Sequence, residues 1–89
     1  MIITAELSLY PLQENYEETI ITFIKSLKNH EGVKVHTHAM STFVKGEHKD
    51  VMNAISDALE AANDVCKGFS LVTKIINRDL PVEKGFLEF

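Results

Sequence analysis

The stretch Ile2–Tyr10 constrains the fold more than any other part of this chain. Ile3, Ala5, Leu7 and Leu9 fall on one side, while Thr4, Glu6, Ser8 and Tyr10 fall on the other with Ile2. Period-two alternation over this length predicts a strand with one wholly apolar face. Pro11 has no N–H to donate and is expected to end the ladder. The rest of the chain must supply a layer that covers the apolar face.

Two amphipathic helices are available for that layer. Asn15 and Glu18 have the spacing of a capping box, and Tyr16, Ile20, Phe23, Ile24 and Leu27 recur at helical spacing. Glu17 and Glu18 sit in the first turn and Lys25 and Lys28 toward the end, matching the helix dipole. Gly32 is placed to close this helix in a left-handed conformation. The second helix is expected to start near Glu47 or His48 and to end before Gly68. Its stripe is Val51, Ile55, Ala58, Leu59, Ala62 and Val65.

Between the helices, Val33, Val35 and Thr37 alternate with Lys34, His36 and His38, predicting a second strand. A tight connection near Ala39 leads into a third strand, Met40–Lys45, which Gly46 is expected to end. Phe69–Asn77 reads as a fourth strand, with Leu71, Thr73 and Ile75 on one face and Val72, Lys74 and Ile76 on the other. Arg78–Pro81 breaks it. Phe86, Leu87 and Phe89 make the tail, residues 79–89, too apolar for a free end, and it is expected to pack on a partner subunit.

The order is βαββαβ within a single domain, residues 1–89. Right-handed crossovers convert it into an α+β ferredoxin-like sandwich: a four-stranded antiparallel sheet with two helices on one face. The first and third strands are central neighbours in that arrangement. The other sheet face carries Ile2, Tyr10, Val72 and Ile76, more apolar surface than a small monomer comfortably exposes, so a homo-dimer or homo-tetramer is expected.

Composition narrows the function classes. A net charge of −4 argues against a nucleic-acid binder, which needs a basic face. Cys66 is the only cysteine, so no intrachain disulfide forms and a reducing compartment is indicated. No basic residue precedes the first apolar residues, and no apolar run reaches the ~18 residues of a membrane span. A cytoplasmic protein without a membrane partner is expected.

Catalytic and metal patterns are sparse. On a strand, His36 and His38 point to one face about 7 Å apart, a spacing that suits two metal ligands. The sequence supplies no evident third ligand, so an exposed polar face is the plainer reading and no metal is assigned. Ser41 lacks a glycine elbow, and Lys45-Gly46 lacks a glycine-rich loop. Cys66 falls beside the apolar stripe of the second helix, a packing position.

The more informative feature is a polar patch. Ser8 and Tyr10 lie at the end of the first strand, and Ser41 and Thr42 at the start of the third. The fold is read as requiring those strands to be parallel neighbours, so their like ends do not automatically coincide, and register decides whether the four hydroxyls converge. Strand parity also keeps Ser41 and Thr42 from pointing the same way. Ordinary strand residues that bond locally are the alternative.

Two motifs, Thr4-Ala-Glu-Leu-Ser-Leu-Tyr-Pro-Leu12 and Met40-Ser-Thr-Phe-Val-Lys-Gly46, resemble the recurring motifs of the YkoF-like thiamine-binding protein family. Val51-Met52, Ala61-Ala62 and Thr73-Lys74-Ile75 fit as well, so the resemblance covers about Ile2 to Asp79. It implies a ferredoxin-like domain that binds thiamine or its hydroxymethylpyrimidine moiety without catalysis, with no other cofactor, and that associates into dimers and tetramers. The ligand-binding residues it implies are Ser8, Tyr10, Met40, Ser41 and Thr42. Lys45 departs from the family, which often has an acidic residue there.

An aminopyrimidine edge presents donors and acceptors that Ser8, Ser41 and Thr42 can satisfy without a charge. The face of Tyr10 or the carboxylate of Glu6 can meet a thiazolium cation. Glu6 has a competing use in a cross-strand pair with Lys74. The rival functions are a structural or regulatory oligomer with no small-molecule ligand, and an enzyme using His36, His38 and Glu6.

Overall fold

The computed structural model describes residues 1–14 and 16–83. Its elements are β1 (Ile2–Pro11), α1 (Tyr16–Lys28), β2 (Val33–Thr37), β3 (Thr42–Glu47), α2 (His48–Val65) and β4 (Phe69–Ile76). The strands form one sheet in the order β2-β3-β1-β4, and every neighbouring pair is antiparallel. This is the ferredoxin-like fold.

The alternation in β1 dictates the packing. Ile3, Ala5 and Leu7 are buried against Phe23 and Leu27 of α1 and Val51, Ala54, Ile55, Ala58 and Ala62 of α2. The alanines of α2 let that helix approach the sheet closely. Tyr16 does not share the buried stripe of α1; it is exposed, and Thr19 takes the inward position one turn further on. The Asn15 half of the expected capping box lies outside the described residues.

β1 and β3 are antiparallel neighbours, which corrects the parallel arrangement considered above. The β1–α1–β2 crossover makes β1 and β2 parallel with a gap between them, and the β2–β3 hairpin fills that gap with a reversed strand. The exit of β1 therefore lies beside the entry of β3, with Leu7 opposite Thr42.

Gly46 continues β3 rather than ending it, standing opposite Ile3 on one side and Val33 on the other. A Cβ at this position would overlap the Gly32 carbonyl oxygen. Gly32 takes the expected left-handed conformation (φ 82°), but in the turn that enters β2, after α1 has ended at Lys28.

Beyond β4 the chain doubles back over the helix-free face of its own sheet. Thr4 Oγ1 donates to the Arg78 carbonyl (2.7 Å) and accepts from the Leu80 N–H (3.2 Å). Lys45 Nζ donates to the Leu80 carbonyl (2.8 Å) and pairs with Asp79 (2.8 Å), which gives this departure from the family pattern a structural use. Lys34 pairs with Glu83, and His38 Nε2 lies 3.1 Å from the Val82 carbonyl. Val82 is 0% exposed. Residues 78–83 thus form a strap across β1, β3 and β2. The expected apolar tail residues Phe86, Leu87 and Phe89 lie outside the described residues.

Candidate functional site

The site is built by a mismatch of strand lengths. β1 pairs with β4 as far as Pro11, but with β3 only as far as Leu7. β3 stops there because its chain turns: the His38 N–H donates to the Ser41 carbonyl (2.8 Å), and Ala39 and Met40 form the tip of the hairpin. The expected strand start at Met40 is thus displaced to Thr42, and Met40 stands 91% exposed. A cavity of about 230 Å³ opens where β3 falls short, between the end of β1, the hairpin and α1.

Its apolar wall is Leu7 and Leu9 from β1 with Ile20, Phe23 and Ile24 from α1. Its polar wall is Ser8 with Thr37, His38, Ser41 and Thr42 around the hairpin. Ile20 and Ile24 belong to the helical stripe but are only partly buried, since β3 gives them nothing to pack against. Thr42 is buried and faces the helices, and its hydroxyl lies 3.3 Å from that of Thr37 across the hairpin. Either hydroxyl can donate to the other, so the pair keeps one proton and spare lone pairs for a third group.

Ser41 has the opposite parity. Its Oγ donates to Glu6 Oε2 (3.0 Å) on the helix-free face, while Glu6 Oε1 lies 3.7 Å from Lys74 Nζ across the β1–β4 ladder. Glu6 and Tyr10 are absent from the cavity wall; Tyr10 is 56% exposed. Of the six residues singled out in the sequence, the structure gathers Ser8, Met40, Ser41 and Thr42 around one cavity and leaves Glu6 and Tyr10 outside it.

Thr37, Leu9 and the three α1 residues were not singled out as site residues, and His38 was considered only as a metal ligand or as part of an enzyme. Thr37 was legible in principle, because a two-residue hairpin tip at Ala39-Met40 places it opposite Thr42. The rings of His38 and His36 lie 4.7 Å apart with their planes tilted by 53°, and His38 lies against Phe43 at 4.5 Å under the strap. Among the described residues, no three His, Cys, Asp or Glu side chains converge on a point that suits a metal. Cys66 follows α2 in extended conformation, buried, with its Sγ donating to the Gly68 carbonyl (3.1 Å). No described helix is long and apolar enough to cross a membrane.

A family model described as thiamine-binding protein matches residues 5–81. The chain belongs to the thiamine-binding protein family. Solved structures share its fold. A protein from Streptococcus pneumoniae superposes with a TM-score of 0.81 at 23% identity, covering 90% of each chain. A candidate thiamine biosynthesis/salvage protein from Thermotoga maritima gives 0.78 at 21% identity, covering 88% of this chain and 85% of its own. A Methanocaldococcus jannascii protein gives 0.77 at 24% identity, covering 88% and 81%. No curated protein matches the sequence. The matched part of this chain includes both sides of the cavity.

Proposed function

We propose that this thiamine-binding family member binds thiamine or its hydroxymethylpyrimidine moiety without catalysis, as a cytoplasmic homo-oligomer. The observation that carries this reading is the make-up of the cavity. Hydroxyls from Thr37 and Thr42 face an apolar wall from Leu7, Ile20, Phe23 and Ile24 across about 230 Å³. Concave, mostly apolar sites with a few placed polar groups are how small ligands are held, at volumes of roughly 300–1,000 Å³ for larger ones. The smaller volume here suits a single substituted ring.

Charge decides which ring of thiamine enters. Among the described residues no acidic side chain lines the cavity, so a buried thiazolium would be an unpaired cation, a costly arrangement. The neutral pyrimidine goes in and the thiazolium stays at the mouth, beside exposed Met40 and within the field of Glu6. The wall offers hydroxyl donors and acceptors but no Ser–His pairing, which supports holding over reacting.

A second copy fits the part of the helix-free face that the strap leaves open. Val72 is 56% exposed there, with Tyr10, Ile76 and Ile2 also exposed.

Isothermal titration with thiamine and with hydroxymethylpyrimidine tests the binding reading. Saturable heat from both is expected. No heat at millimolar ligand in a folded sample would leave the structural or regulatory oligomer as the better account.

A further inference from the structure

The backbone of β1 carries information that its side chains do not. The Leu12 N–H donates to the Gly68 carbonyl (2.8 Å), extending the β1–β4 ladder by one hydrogen-bonded pair. In an antiparallel ladder such pairs recur every second residue. Tyr10, Ser8 and Glu6 therefore turn their N–H and C=O groups toward β4, and Leu9, Leu7, Ala5 and Ile3 turn theirs toward β3. A second bond gives the same parity independently: the His48 N–H donates to the Met1 carbonyl (2.9 Å), one step beyond the β1–β3 ladder.

Leu7 uses both of its groups on Thr42, the last pair in that ladder. Leu9 is next. By register its partner would be Met40, which has left the strand for the hairpin tip. The N–H and C=O of Leu9 thus point at an edge with no ladder partner among the described residues, and Leu9 lines the cavity there. Half-buried backbone groups need partners from somewhere.

We infer that the Leu9 N–H and C=O form the hydrogen-bonding edge of the cavity and select a flat ligand with an acceptor nitrogen beside an amino donor. This inference rests on the pyrimidine-binding reading and specifies its chemistry. In an extended residue the N–H and C=O lie side by side in the plane of the sheet. A 4-aminopyrimidine presents the complement, a ring nitrogen that accepts and an adjacent amino group that donates. The ring takes the place of the missing strand residue and continues the sheet. Ile20 and Ile24 cover one of its faces, and the Thr37–Thr42 hydroxyl pair borders it.

The test combines amide exchange with a ligand of reversed polarity. In the free protein the Leu9 amide is expected to exchange with solvent much faster than those of Ala5 and Leu7. Saturation with thiamine should slow Leu9 exchange and move its amide proton downfield. Oxythiamine has a carbonyl and a ring N–H in place of the amino group and ring nitrogen, and should bind at least about tenfold more weakly, as expected for two mismatched hydrogen bonds. If Leu9 is as protected as Leu7 in the free protein, the backbone assignment is wrong. If thiamine binds but oxythiamine binds equally well, or Leu9 exchange does not change, the edge assignment fails while the cavity reading survives. If neither ligand nor hydroxymethylpyrimidine binds, both fail together.

Discussion

Ser41 and Thr42 are adjacent in the chain but serve opposite faces of the sheet. Thr42 places its hydroxyl 3.3 Å from Thr37 on the cavity side, and Ser41 donates to Glu6 3.0 Å away on the helix-free side. Their contributions to binding must therefore differ. Thr42→Val keeps the side-chain shape and removes one hydroxyl, and is expected to weaken thiamine binding by about two- to tenfold, the worth of a hydrogen bond. Ser41→Ala is expected to cost less, since its hydroxyl is already committed to Glu6. Titration calorimetry of the two variants checks the order; a larger loss for Ser41→Ala would place the ligand on the helix-free face.

Gly46 is a packing requirement. The carbonyl of Gly32 occupies the space a Cβ would need, and backbone cannot rotate away as a side chain can. Gly46→Ala is expected to destabilise the protein by about 1–3 kcal/mol, as overpacking does. A denaturant midpoint unchanged from the parent protein would refute the close approach.

The strap should loosen in acid. The hydrogen bond from Lys34, together with a backbone N–H, lowers the Glu83 carboxyl from 4.5 to about 2. Because the folded value lies below the unfolded one, the stabilisation is complete above about 4.5 and is lost as pH falls toward about 2. The methyl signals of Val82, followed by NMR, should move through that window, and Glu83→Gln should remove this component. An identical acid profile in the variant would show that the ion pair does not hold the strap.

The helix-free face should govern self-association. Val72→Glu places a charge in the apolar patch, at a residue that is 56% exposed and opposite Ser8 in the ladder. At micromolar concentration the parent is expected to elute larger than a monomer and the variant as a monomer. A parent protein that elutes as a monomer would contradict the oligomer directly.

Much of this architecture was legible because periodicity is a local property. Ile3, Ala5 and Leu7 announced a buried face, and the stripes of α1 and α2 announced what buries it. The site depended on relations between distant segments. Nothing in Met40-Ser-Thr by itself says that Leu7 stands opposite Thr42, and that single pairing decides which hydroxyl faces the helices. Reading the central strands as parallel obscured how the ends meet. Lys45 and Val82 were opaque for the same reason. Their roles lie in the strap, which joins residues more than 30 apart in the chain and leaves no repeating pattern.

The early end of the β1–β3 ladder has a consequence for how this small protein can change. The size of its pocket is set by the length of a surface turn, not by the volume of its core. Residues added or removed at Ala39-Met40 would move one wall and leave Ile3, Ala5 and Val44 where they are. What the molecule holds can drift while what keeps it folded stays still.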